Sequence, residues 1–351
     1  MKIIKIFLIL IIIVTLGVGA YYGANMYMEN RALKEVNKII EQEHLEGLVD
    51  YEGVEANVFS RSITLKKVKF ALQNKITSQD VGIMEFDKVI LNGDWNKNYT
   101  LKLKDIKLIN LNPQSPKELM NKKILKADCA DFDIEKSGKI MTKFDGSIRN
   151  IRIDRRLFLL KEQDKEKIKL FNTVMKVNNP INIVMSMMAN PSKKTLNIKK
   201  YKIDFVNNFG ISYKMYVKNI DIIGLDMVAK QLQKNKNSFM VIANAMSKVM
   251  QIKPVMFELE FINNGMLDRV LEYQAKQAHM TKDKFIEEEL KKVERNPVYG
   301  LYKPVKNLLT SKSKKLKITI RNKDMLSVGD LMSSSKNISD LMDRLYIEFS
   351  N

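Results

Sequence analysis

The stretch Ile63–Phe70, ITLKKVKF, alternates apolar and polar residues, breaks at two lysines, and resumes the alternation on the opposite parity. The same beat, apolar at positions 1, 3, 6 and 8, returns in LKLKDIKL (Leu101–Leu108) and LNIKKYKI (Leu196–Ile203), and looser copies occur at Met84–Leu91, Gly146–Ile153 and Met215–Ile222. About one strict match is expected by chance in a chain of this length and apolar content. In a regular strand successive side chains point to opposite faces, so strict pleating would expose one apolar pair of each copy. One extra residue accommodated as a β-bulge returns all four to one face and sharpens the local twist. The expectation is a curved antiparallel sheet of bulged strands. Its apolar face carries Ile63, Leu65, Val68 and Phe70, then Leu101, Leu103, Ile106 and Leu108, then Leu196, Ile198, Tyr201 and Ile203. Such a face serves either as a core covered by helices or as a groove open to an acyl chain or another extended apolar ligand.

Outward from these segments, residues 50 to 110 read as short strands separated by polar turns. Ser115-Pro116-Lys117-Glu118 has the chemistry of a helix start, with Ser as N-cap and Pro at the first helical position. Strands resume in ADFDIEKSG, KIMTKFDG and SIRNIRID, and a charged helix is expected near 155–177. After Leu225 helical periodicity takes over, interrupted by the strands VMFELEFIN and KLKITIR. The organisation expected is a membrane anchor or signal peptide over 1–27 and a helical stalk over 28–48. A β-rich curved-sheet region over 49–224 follows, then a mainly helical region over 225–351 within the same folded body. The fold class is α+β: an N-terminal transmembrane helix, a curved antiparallel β-sheet with bulged strands, and a helix-rich C-terminal half packed on it.

The amino terminus, MKIIKIFLILIIIVTLGVGAYYGA, carries Lys2 and Lys5 and then an uncharged run from Ile6 to Ala24. At a rise of about 1.5 Å per residue this run approaches the ~30 Å hydrocarbon layer of a bilayer. Val18-Gly19-Ala20 also meets the small-residue rule for signal cleavage. An uncleaved anchor is favoured because the apolar run continues past that point and Tyr21, Tyr22 and Tyr27 suit an interfacial aromatic belt. The leading lysines place the terminus in the cytoplasm and the bulk of the chain outside it.

Sixty basic against 40 acidic residues give a formal charge of +20. The basic residues are spread along the chain, lysine outnumbers arginine, and a non-cytoplasmic location argues against a nucleic-acid partner. The partners expected are the membrane, lipid and other envelope proteins. Cys129 is the only cysteine and sits among carboxylates, which disfavour a thiolate nucleophile. His44 and His279 are the only histidines and lie in no metal-ligand spacing. Asp128, Asp131, Asp133 and Glu135 form a dense acidic cluster without the glycine and spacing of a calcium loop. No phosphate-binding, dinucleotide or nucleophile-elbow motif occurs, and Trp95 reads as a turn-packing aromatic. Neither a cofactor nor an enzymatic activity is expected.

The leading segment followed by a short helix and the strand pair YEGVEANVFSRSITLKKVKF (Tyr51–Phe70) resembles the opening of bacterial envelope proteins of the AsmA-like and YdgA-like (DUF945) kind, over residues 1–110. The resemblance implies a single-pass protein of the bacterial inner membrane, with its bulk on the periplasmic side and a role in envelope homeostasis and lipid handling. The function expected is a non-enzymatic, membrane-anchored protein that binds or shields lipid in a sheet groove. The alternative is a structural or assembly factor with a closed core and a basic surface meeting anionic lipid or polymer, and a remote one is an extracytoplasmic hydrolase.

Overall fold

A computed structural model describes residues 32–34, 37, 41 and 46–351, apart from 58–61, 74–79, 95–96, 113–114, 139, 155, 160–164, 177, 235–238, 296–299 and 335–343. The expected anchor and His44 lie outside these residues, as does Trp95. No helix among the described residues is long and apolar enough to cross a membrane, so the expected transmembrane helix is not part of the fold described. The chain divides into two compact units, one running to Ile168 and taking back Val177–Asn182, the other comprising Lys169–Lys176 and Ile183–Asn351. Both are built on antiparallel strands with accompanying helices, an α+β arrangement.

In the first unit the strands are β1 (Val49–Asp50), β2 (Gly53–Asn57), β3 (Ser62–Gln73), β4 (Asp80–Asp94), β5 (Asn98–Asn110), β6 (Lys122–Ser137) and β7 (Ile140–Ile153). Each of β3 to β7 pairs with its successor, while β1 and β2 both pair with β3. Helix α1 (Arg156–Leu159) follows, and then α2 (Lys165–Val174), most of which, from Lys169 on, belongs to the second unit. The expected helix start at Ser115 is instead a single turn closed by Leu119 N–H to Pro116 O, 2.9 Å. That turn buries Leu119 and is held by Asn110 Nδ2 donating to the Leu119 carbonyl, 3.1 Å.

Apolar side chains line up across the first unit's strands. Ile63 pairs with Leu91, Leu91 with Leu101, and Leu101 with Phe132; the next row is Leu65, Val89, Leu103 and Ala130. Beyond the break, Val68 pairs with Phe86 and Ile106 with Ala127. Leu65, Val68, Val89, Leu91, Leu101, Leu103 and Ala130 are 0% exposed, so this face is a closed core.

The break in the beat is a different device from the bulge expected. Lys66 pairs with Lys88 and Val68 with Phe86, leaving Lys67 and Asp87 as one skipped residue on each strand. Asp105 and Asp128 are skipped in the same way between β5 and β6, and Asn150 stands at that level on β7. Lys67, Asp105 and Asn150, on alternate strands, adopt left-handed backbone with φ 53°, 50° and 57°. Each strand carries its own extra residue at one level, so every strand changes parity together and none slips against its neighbour. The line is tied by Lys67 Nζ to Asp87 Oδ1 at 2.9 Å, Lys107 Nζ to Asp105 Oδ2 at 2.5 Å, and Asn150 Nδ2 to Asp128 Oδ2 at 2.7 Å. The Lys67 hydrogen bond holds the Asp87 carboxyl below its ordinary value, and Lys107 does the same for Asp105.

The second unit contains β8 (Ile181–Asn190), β9 (Thr195–Phe205), β10 (Phe209–Lys218), β11 (Lys253–Asn263), β12 (Lys315–Asn322) and β13 (Leu345–Ser350), neighbours in that order. Here the beat does produce a bulge of two residues against one. Ile198 pairs with Met215 and Tyr201 with Tyr213, so Lys199 and Lys200 stand opposite Lys214 alone. The loose copy at Met215–Ile222 is not a strand throughout, because β10 stops at Lys218, Asn219 turns the chain at φ 57°, and a helix begins at Ile222.

The helices of this unit are α3 (Ile222–Lys234), α4 (Phe239–Met250), α5 (Met266–Gln277), α6 (Lys282–Arg295), α7 (Tyr302–Leu309) and α8 (Val328–Ser334). Leu271, Ile286 and Leu290 form a cluster of their own with Leu267, Phe285, Tyr302, Val305 and Leu309. The apolar stripes of α5, α6 and α7 therefore satisfy one another. Buried asparagines fasten the strand ends: Asn263 Oδ1 accepts the Gly265 and Leu267 N–H groups at 3.0 Å, and Asn322 Nδ2 donates to the Pro254 and Leu326 carbonyls at 2.7 and 2.8 Å.

Candidate functional site: an uncovered aromatic sheet face

One face of the second unit's sheet repeats the apolar rows of the first. Ile203 pairs with Ile211, Ile211 with Phe261, and Phe261 with Leu316. The next row runs Tyr201, Tyr213, Leu259, Ile318 and Phe349, and the third runs Ile198, Met215, Phe257, Ile320 and Ile347. The aromatic rings stack across strands, Tyr201 on Tyr213 at 4.8 Å and Phe205 on Phe209 at 4.5 Å between centroids. Phe209 in turn stacks with Phe261 at 6.1 Å and Tyr213 with Phe257 at 6.3 Å. Burial first, and then the neighbouring Tyr201, push the Tyr213 phenol above its ordinary value, so that ring is uncharged at neutral pH.

Burial separates the two sheets. Of the fourteen residues in these rows only Ile198 is buried, and Ile211 is exposed. In the first unit the corresponding rows are closed at their centre, and only marginal members such as Phe132 and Leu108 are half-buried. The opposite face is charged, with Glu258 between Lys214 (3.1 Å) and Lys317 (3.0 Å) and Glu260 paired with Lys315 (3.0 Å), and it buries Thr319 in register with Glu258. The expected site residues thus divide. Ile63, Leu65, Val68, Phe70, Leu101, Leu103 and Ile106 are core, with Leu108 half-buried in the same rows. Leu196, Tyr201 and Ile203 are half-buried on the uncovered face, beside the buried Ile198. Sequence reasoning missed Tyr213, Phe257, Leu259 and Phe261, although the alternation in VMFELEFIN carries the last three at every second position.

Burial pushes the Glu258 carboxyl up, but hydrogen bonds from Lys317 and Lys214 outweigh it and hold it below its ordinary value. A depressed carboxyl stabilises the fold above its unfolded pKa, and that contribution is lost as pH falls through the folded value. Urea denaturation followed from pH 7 down to about pH 3.5 should therefore show a falling midpoint below the ordinary glutamate range, and Glu258→Gln should flatten the fall.

Asp204 and Asp268 line one polar depression of about 480 Å³ with Asn263, Asn264 and Ser311. Asp268 accepts from Asn263 Nδ2 (2.9 Å), Lys282 Nζ and Ser311 Oγ (both 3.0 Å), and these outweigh the upward push of burial to hold it low. A hydrolytic pair needs one carboxyl held protonated near neutral pH, the opposite condition. Asp204 Oδ1 accepts from Asn264 Nδ2 at 2.9 Å. In the acidic cluster of β6, Asp131 pairs with Arg149 (2.5 Å), while Asp133 and Glu135 share Lys143 (3.6 and 2.8 Å). These are cross-strand ion pairs, and no group of three His, Cys, Asp or Glu among the described residues is placed to hold a metal. Cys129 is half-buried on β6, opposite Arg149 in register. His279, just past α5 with φ 53°, donates its N–H to the Lys276 carbonyl at 3.2 Å.

One family model, described as "Uncharacterized protein", matches residues 202–351. No curated protein matches the chain. The matched residues hold β10 to β13 and α3 to α8, hence most of the uncovered face. This overturns the resemblance to AsmA-like and YdgA-like proteins: no model of either family matches, and the residues on which the resemblance rested, 1–110, lie outside the matched stretch.

Proposed function

We propose that the protein is a non-enzymatic binder of an extended apolar ligand, the acyl chain of a lipid, seated on the aromatic face of β9 to β13. The observation that carries this reading is the three apolar rows whose members, Ile198 apart, are only partly buried, while the centre of the matching rows in the first unit is closed. Rings stacked at 4.5 and 4.8 Å present flat apolar area, and Met215 adds a flexible thioether beside them. No charged group breaks the rows, and the only polar atoms in them are the hydroxyls of Tyr201 and Tyr213, as suits a predominantly apolar ligand. The first unit favours the structural alternative for itself, because its apolar face is a finished core and its other face carries lysines such as Lys88, Lys102 and Lys104.

The test is native mass spectrometry of the full chain after mild detergent extraction, with exchange of a fluorescent phospholipid from vesicles. Bound lipid is expected in the wild type and lost in Tyr213→Asp. Absence of co-purifying lipid together with blank exchange would remove the proposal.

A further inference from the structure

Helices α3 and α4 follow one another across residues 235–238, and α4, FMVIANAMSKVM, has nine apolar residues of twelve yet buries none of them. Phe239 and Met240, the first two residues of α4, are each 81% exposed. Ile242, Met246 and Val249 continue a helical stripe from Phe239 and are exposed, as are Ile223 and Met227 on α3. The base is fixed: Asp221 accepts the Gly224 N–H at 2.9 Å and pairs with Lys248 at 2.5 Å. A side chain at Gly224 would collide with that pair.

We infer that this helical pair docks on the surface of a bilayer rich in anionic lipid, laying α4 along the interface with Phe239 and Met240 inserted. Length decides against spanning: twelve residues rise about 18 Å, well short of the ~30 Å hydrocarbon layer. An apolar helix too short to cross and lacking a protein cover has the properties of an interfacial helix. Charge selects the kind of surface. Residues 221–250 contain Lys230, Lys234, Lys236 and Lys248 against Asp221, which is paired with Lys248, and Asp226, a net of +2, and lysines beside an apolar insertion are drawn to anionic headgroups. The surface is separate from the aromatic sheet face, so either can fail without the other.

The experiment uses the full chain with Cys129→Ser and one new cysteine at a time, Phe239→Cys, Met246→Cys or, as a control on α6, Lys291→Cys, each labelled with an environment-sensitive fluorophore. With phosphatidylcholine vesicles containing phosphatidylglycerol, the probes at 239 and 246 should shift to the blue and be quenched by nitroxide-labelled lipid, while the probe at 291 stays water-like. Vesicles without phosphatidylglycerol, or high salt, should reduce the effect. Phe239→Ser with Met240→Ser should weaken the response of the probe at 246 on the order of 100-fold in lipid concentration, the loss expected from two inserted side chains. Probes at 239 and 246 that remain water-like with anionic vesicles would overturn the proposal. So would probes already shielded without lipid in a sedimenting dimer, which would assign the surface to a second copy. Retention of co-purified lipid by the double serine variant is expected, and keeps this result distinct from the sheet-face test.

Discussion

Deleting Lys67 is expected to unfold the first unit, whereas Lys67→Gly leaves it folded. The deletion restores strict alternation to β3 while β4 keeps its extra residue Asp87, so one apolar pair, Ile63 with Leu65 or Val68 with Phe70, must turn outward. All four side chains are at most 4% exposed. Exposing two of them costs about 3–6 kcal/mol, a large part of the roughly 5–15 kcal/mol that holds a domain together. Lys67→Gly keeps the residue count and relieves the left-handed backbone at φ 53°, losing only an exposed ion pair to Asp87. Its urea midpoint should stay close to that of the wild type. Limited proteolysis and urea denaturation distinguish the two. A folded deletion variant with an unchanged midpoint would show that the strand can absorb the missing residue, and that the line of kinks does not set the parity.

The second expectation compares one chemical change at two places. Leu103→Lys puts an ammonium into rows where Leu103, Val89 and Ala130 are 0% exposed, with no carboxylate in those rows. Its cost should be about 3–5 kcal/mol or more, enough to abolish folding of the first unit. Leu259→Lys occupies the equivalent place in the uncovered rows, between Tyr213 and Ile318. There the ammonium reaches water along its own alkyl stem, and the cost should be about 1 kcal/mol. The same substitution should abolish lipid exchange, because a charge would stand in the middle of the ligand's path. Equal destabilisation at both positions would mean that the second face is covered in solution, and the binding proposal would lose its basis.

The beat in ITLKKVKF was legible because parity is a property of one strand: the apolar residues announce which side they share, whatever their partners. The line of kinks was not, because β4 and β6 carry the break in less apparent form. On β6 the inward positions around it are Ala127 and Ala130, too small to stand out in an apolar count. The level of a break across neighbouring strands is set by pairing, which no single strand encodes. Helix α4 was legible as helical and apolar, yet its composition is that of an ordinary core helix, and only its surroundings show that it buries nothing. The carboxylates of β6 looked dense along the sequence, but pleating and pairing give them to Arg149, Lys143 and Asn150 one by one.

The sequence by itself determined the strands, their apolar faces and the lack of any catalytic motif, since alternation and residue chemistry are local. The tertiary structure alone decided which apolar face is core and which is free. Two sets of rows with the same alternation differ in burial, closed at the centre of one and partial across the other, and burial is set by three-dimensional packing that alternation along a strand does not specify.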